Sequence, residues 1–215
     1  DMDEEITIID SNTRNEKIKN FFINNKKNLI IGVLIILVAI IGYLSMQTIK
    51  ERAKIKLANQ FNIITINFKT EDKQITIDQL TKLVNENDAT YSPLALYYLI
   101  DNNLIENNNE INTLFDKLIN ETKLDKEIKN LIIYKKALFN ADFSNENDLL
   151  QILNPIINSE SIWKSHALYL MAEYFYSKNQ KQKAKEFFNQ ILLIPNVNGD
   201  IKVESQKRLK RDLSE

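Results

Sequence analysis

The chain has no cysteine, three glycines, three prolines and one histidine among its 215 residues. Each scarcity removes chemistry. Without cysteine there is no disulfide, no thiolate zinc site and no thiol nucleophile, and thiols give no reading of the redox compartment. So few glycines leave no GxxxxGK[ST], GxGxxG or GxSxG motif, and almost none of the turn glycines that β-hairpins need. His166, between Trp163 and Tyr169, would have only carboxylates to complete a zinc site, so a satisfied interfacial histidine is the plainer reading. Charge of one sign is lacking too. Lys and Arg number 28 against 29 Asp and Glu, a net charge of −1, which implies no global pull toward nucleic acid. Carboxylate pairs such as Glu71 and Asp72 fall in polar turns, and none is suited to acid–base work. No catalytic residue, cofactor or metal ligand is therefore expected.

What remains abundant is Leu, Lys, Glu and Gln, which with little Gly or Pro points to an all-α fold. Ile, Asn and Lys are overused, as in proteins from AT-rich genomes, and this reads as coding bias. One long apolar run stands out. Leu29 to Met46 carries no charge and only Ser45 as a strongly polar residue. Its length as a helix is roughly 27 Å, close to the hydrocarbon thickness of a bilayer. Lys26 and Lys27 bound it on one side, Lys50 and Arg52 on the other, and Tyr43 sits where an interfacial ring is comfortable. A soluble core helix is rarely apolar all round for this length, and a cleaved signal peptide would have a shorter run and an A-x-A-like site. An uncleaved single-pass anchor is expected over 29–46, between a cytoplasmic tail over 1–28 and a helical domain over 47–215. Gly32 and Gly42 are too far apart for a GxxxG pair, so no specific helix dimer is indicated. The flanking cations do not fix orientation: Arg14, Lys17, Lys19, Lys26 and Lys27 face Lys50, Arg52, Lys54 and Lys56. A signal anchor leaves the short tail cytoplasmic and the long domain translocated.

Residues 15–25 admit two readings: a short helix with Ile18, Phe21 and Phe22 on one side, lying on the membrane surface, or a loosely ordered tail. Beyond Gln47 the span is expected to continue as a helix on the rhythm of Ala53, Leu57, Phe61, Ile64 and Phe68. Thr70 to Lys73 reads as a turn, and Asp78 as the N-cap of a short helix through Leu80, Leu83 and Val84.

Three helices then share an aromatic and small-residue face: Ser92–Asn102, Lys126–Asn140 and Ile162–Lys178. Each is followed by an amphipathic partner: Ile111–Asn120, Asp148–Ile157 and Lys181–Leu193. A last helix, Ile201–Leu213, reads as a cap. Pairs recurring about every 35 to 38 residues are the mark of an α-solenoid, although a generic helical bundle gives similar periodicity. The third pair carries the clearest tetratricopeptide signature. Leu168, Met171, Ala172 and Phe175 stand on its first helix, and Ala184, Phe188 and Ile191 on its second, with Pro195 closing it. The small residues let the helices approach, and the two phenylalanines fill the space between them. In the second pair Ala137, Leu149 and Leu153 stand in, with Asn154-Pro155 behind them; in the first, Leu99, Ile111 and Phe115 do, without the small residues.

Trp163, Tyr169, Tyr174 and Tyr176 are the candidate partner-groove aromatics. Tyr174 and Phe175 point different ways around a helix, so one of them is expected to reach a groove, while core packing accounts for most such rings. Glu173, an acid on an apolar helix, is read as salt-bridged or exposed. Lys202, Lys207, Arg208, Lys210 and Arg211 form a basic stripe, but Glu204, Asp212 and Glu215 interleave with it, which reads as a solvated helix face.

The order of parts resembles the bacterial YfgM-like family, ancillary subunits of the SecYEG translocon, whose domain is also likened to the repeats of the cell-division coordinator. The segment NEKIKNFFINNKKNLIIGVLI is similar to that family's pattern leading into a glycine-containing span, with Ile18, Phe21 or Phe22, Lys26 or Lys27, and Gly32 carrying the match. The stretch YSPLALYYLIDNNLIENNNEINTLFDKLI looks like the family's first repeat. The resemblance implies an inner-membrane protein with a cytoplasmic N-terminus and a periplasmic tetratricopeptide-like domain. It also implies a scaffolding role, in which translocon subunits and periplasmic chaperones are the partners and emerging proteins are handed on. A scaffold of envelope assembly or cell division would use the same domain.

Overall fold

The structure is a computed structural model that describes residues 14–68 and 72–213. Among the described residues it is all-helical, with no strand. The expected tail over 1–28 lies partly outside them, as do Thr70 and Glu71 of the expected turn and Glu215 of the basic stripe. Helix α1 covers 14–24, and nine helices follow: α2 (Lys26–Ile66), α3 (Lys73–Val84), α4 (Tyr91–Asp101), α5 (Asn108–Glu121), α6 (Lys126–Asn140), α7 (Glu146–Ile157), α8 (Lys164–Ser177), α9 (Lys181–Leu192) and α10 (Gly199–Arg211). The chain divides into two compact units, Asp1–Lys56 and Leu57–Glu215.

The first unit holds α1 and most of α2. No residue of α2 is buried, and its 18 most apolar residues have a mean hydropathy of 2.9. It is long and apolar enough to cross a membrane. One turn residue, Asn25, separates it from α1; its N–H donates to the Phe21 carbonyl and its own carbonyl accepts from Leu29 N–H, both at 2.9 Å.

In the second unit, packing begins at Leu57 and continues through Phe61, Ile64 and Phe68. The expected register is corrected at its first residue: Ala53 is exposed, because that turn of α2 precedes the packed unit. Phe61 meets Tyr91 and Tyr98 at ring-centroid distances of 6.2 and 6.3 Å, and the Tyr98 hydroxyl donates to the Thr65 carbonyl at 3.3 Å. Asp78 is not a cap. It lies in the middle of α3, where its Oδ1 accepts a bond from Gln74 Nε2 at 2.9 Å; the helix starts a turn earlier, at Lys73.

From α4 onward each helix packs on the next. The first helices of the three pairs begin at 91, 126 and 164, steps of 35 and 38 residues, and the last helix begins at 199. Asparagine sets many of the boundaries. Asn107, Asn145 and Asn198 cap α5, α7 and α10 by accepting from the backbone N–H of Asn109, Asp148 and Ile201. The first two caps start α5 and α7 earlier than the apolar rhythm alone suggests, because the leading residues, Asn108 to Glu110 and Glu146 to Asn147, are polar. Asn103 and Asn179 end α4 and α8 with φ of 49° and 60°. At α4, Asn103 N–H donates to Ile100 O and Leu104 N–H to Leu99 O; at α8, Asn179 donates to Tyr176 O and Gln180 to Phe175 O. This paired closure needs a left-handed residue, which glycine supplies in most proteins and asparagine tolerates.

The interior forms two clusters that meet at α6. Ile132 belongs to the cluster with Leu80, Leu96, Leu99, Ile111 and Phe115, while Ile133 and Ala137 belong to the one with Leu149, Leu153, Leu168 and Phe188. Seven of the eight signature residues are buried together in that second cluster: Leu168, Met171, Ala172, Phe175, Ala184, Phe188 and Ile191. The eighth, Pro195, is exposed three residues beyond the end of α9. In α7, Pro155 sits inside the last turn, and the helix ends at Ile157, two residues later.

Candidate partner-binding surface

Helix α8 distributes its side chains over several neighbours. Its inner face, with Ala167, Leu168, Met171, Ala172 and Phe175, is fully in the core. Tyr174 is buried as well, at 8% exposure, and its hydroxyl donates to the Ser144 carbonyl at 3.1 Å. That corrects its place among the groove aromatics: Tyr174 and Phe175 do point different ways, but both directions are covered.

The other three aromatics are half-buried, and they do not share a groove. Trp163 stacks on Tyr134 of α6 at 5.9 Å with an interplanar angle of 21°, and His166 lies against both rings at 5.1 and 5.8 Å. Burial lowers the His166 pKa, against a smaller opposing effect of the Ile162 backbone. Its Nδ1 is enclosed and has no hydrogen-bond partner. Tyr169 instead packs on Phe188 of α9 at 5.5 Å. Its hydroxyl is pushed up to about 12, first by burial and then by Glu173 and Glu204. Tyr176 lies beneath the Arg208 guanidinium at 4.2 Å.

That arginine ties α10 to α8. Arg208 Nε and Nη2 donate to the two carboxylate oxygens of Glu173 at 2.7 and 2.8 Å, a bidentate pair, and Nη1 donates to Asp212. Glu173 is salt-bridged, as the sequence suggested. Burial opposes the Arg208 charge, but Glu173 and then Asp212 outweigh it and hold its pKa above the ordinary value. Arg211 bonds Asp212 at 2.7 Å and Lys207 bonds Glu204 at 3.3 Å. Much of the basic stripe is thus neutralised by its own acids.

A concavity with partly apolar walls lies beside the start of α8. It has a volume of about 690 Å³ and runs between the 159–165 turn and the segment that leaves α9. Ile162 projects from one wall and Leu193 from the other, 70% and 81% exposed. Glu160, Lys164, Gln190 and Asn198 give it a polar rim. Glu127 of α6 holds the first wall by accepting from the Ser161 hydroxyl at 2.6 Å and from the Ile162 N–H at 3.2 Å. Pro195 and the left-handed Asn196, φ 56°, shape the second. Two apolar side chains held open across a cleft, with polar groups at the edge, suit an apolar side chain of a polypeptide partner. Periodicity missed this cleft because Ile162 and Leu193 each stand one or two residues outside a helix. The available signal was an apolar residue beyond each helix boundary, where the helix's own core has no use for it.

A second concavity, of about 620 Å³, lies between α5, α6 and α7. Asn112 and Asn140 exchange side-chain hydrogen bonds across it at 2.9 and 2.8 Å. Among the described residues no group of three or more His, Asp or Glu is placed to hold a metal ion.

Comparison with known proteins assigns no family: no family model, no curated protein and no solved structure matches the chain.

Proposed function

We propose that this chain is a membrane-anchored, non-enzymatic adaptor that binds proteins. In this reading the apolar part of α2 crosses the bacterial inner membrane once, with a cytoplasmic N-terminus. The unit from Leu57 is a degenerate tetratricopeptide-like solenoid on the periplasmic side. It serves as an ancillary subunit of the SecYEG translocon and helps pass secreted proteins to periplasmic chaperones. Helix pairs at steps of 35 and 38 residues support the solenoid. The buried small-residue and aromatic signature of α8 and α9 supports it further. The wholly exposed apolar length of α2 supports the anchor.

The observation that carries the binding role is the cleft with Ile162 and Leu193 exposed on opposite walls. Two large aliphatic side chains on opposite walls of a concavity with a polar rim suit burial by a partner's apolar side chain. Anchoring raises the effective concentration of that cleft for partners at the bilayer, so individually weak contacts suffice.

Photo-crosslinking tests the assignment. A benzoylphenylalanine placed at Ile162 or Leu193 in cells is expected to trap translocon subunits or periplasmic chaperones. The same group at the exposed Asn189 of α9 serves as control. Equal trapping at all three positions contradicts the cleft. Trapping of division or outer-membrane assembly proteins at 162 and 193 replaces the translocon with that machinery.

A further inference from the structure

Helix α1 has a use that anchoring alone does not require. We infer that α1 docks flat on an anionic lipid surface, hinged at Asn25, so that the chain reads the charge of the bilayer it is anchored in. The inference rests on the reading that α2 spans the membrane.

Three observations within the first unit carry it. The first is the pattern of α1. At about 100° per residue, Ile18, Phe21 and Phe22 fall on one face, Lys17 and Lys19 on its opposite flanks, and Glu16 and Asn20 behind. Lysines at the edges of an apolar face extend their ammonium groups to headgroup depth while the face enters the acyl boundary. The second is exposure and charge. Ile18, Phe21, Phe22 and Ile23 are 48%, 56%, 58% and 61% exposed, so nothing among the described residues covers them. From Arg14 to Lys27 there are five cations and a single acid, Glu16, while the five acids Asp1, Asp3, Glu4, Glu5 and Asp10 precede this stretch in sequence. Local excess of this kind complements phosphodiester headgroups carrying a net negative charge. The third is the junction. A single turn residue, Asn25, separates α1 from α2, and its side-chain amide shares the Phe21 carbonyl with its own backbone N–H, at 3.0 and 2.9 Å. Beside this junction runs a shallow, open apolar surface. Phe22 and Ile23 of α1 line it together with Leu29, Ile30 and Val33 of α2, and Lys26 stands at its edge. Such a surface accepts the upper part of an acyl chain with its phosphate near Lys26.

Because the chain has no cysteine, single cysteines can be introduced and spin-labelled one at a time along 16–24 in the full chain. The protein is reconstituted in vesicles of phosphatidylcholine alone or mixed with phosphatidylglycerol, and immersion depth is read at each label. Docking predicts deep labels at 18, 21 and 22 and water-exposed labels at 16 and 20, in the mixed vesicles. It also predicts that Lys17→Gln with Lys19→Gln lowers the docked population roughly fivefold per lysine removed. A label at Ile35 reports the anchor separately. A deep Ile35 with a flat, water-exposed profile over 16–24 overturns the inference and leaves the anchor standing. A water-exposed Ile35 overturns the anchor and the inference with it. Equal docking in vesicles of phosphatidylcholine alone overturns the dependence on lipid charge.

Discussion

At Asn179 the backbone turns left-handed to close α8, with two hydrogen bonds that cap the helix's last carbonyls. A β-branched residue resists that conformation by about 1–2 kcal/mol, and glycine does not. Urea unfolding of Asn179→Val is therefore expected to show a stability loss of about that size, while Asn179→Gly stays close to the parent. The Arg208 node gives a second residue-level expectation. Hydrogen bonding from Arg211, and then from Arg208, holds the Asp212 carboxyl down to about 2, against an ordinary value of 3.8. A depressed folded-state pKa stabilises above the unfolded value and is lost as pH falls through the folded one. The difference in urea midpoint between the parent and Asp212→Asn is thus expected to be full near pH 6 and to close between pH 4 and pH 2. Asparagine was the residue least well read from sequence. Its abundance resembles coding bias, yet individual asparagines cap α5, α7 and α10 and close α4 and α8. Composition shows only that Asn is frequent, and the role appears once its place relative to a helix end is known.

Among the elements, α8 and α9 form the most extensively packed pair, and the reason is steric. Ala172 and Ala184 are fully buried and leave room that Phe175 and Phe188 fill. Adding volume there is expected to hurt: Ala184→Leu should lower unfolding stability by about 1–3 kcal/mol, with the denaturant slope unchanged. The same change at Lys185, one residue along the helix and outside the core, should be close to neutral. This pair was legible because its pattern is made of packing constraints, and packing is what a 3.6-residue period encodes. Helix starts were less legible. Periodicity placed α5 at Ile111 and α7 at Asp148, where the apolar faces begin, but both helices start earlier on polar turns held by Asn107 and Asn145. The candidate groove was the least legible of all. Tyr169, Tyr174 and Tyr176 lie on α8 and Trp163 just before it, yet α6, the α9–α10 side and the core claim them separately, because a helix surrounded on several sides has no single outer face.

For the whole molecule, the described chain combines an exposed apolar helix with a helical unit whose interior is continuous from α2 to α10 through the two faces of α6. In the cleft beside α8 two exposed aliphatic side chains, Ile162 and Leu193, flank a concavity, and the adaptor reading stands on it. Its most direct test is affinity purification of the full chain from membranes solubilised in mild detergent, in parallel with an Ile162→Asp, Leu193→Asp variant. Both positions are exposed, so circular dichroism and thermal midpoint should match the parent. The account predicts that translocon subunits and periplasmic chaperones accompany the parent, as identified by mass spectrometry, and are depleted at least tenfold with the variant, a loss of about 1.4 kcal/mol in binding. An identical set of partners with both proteins would contradict it.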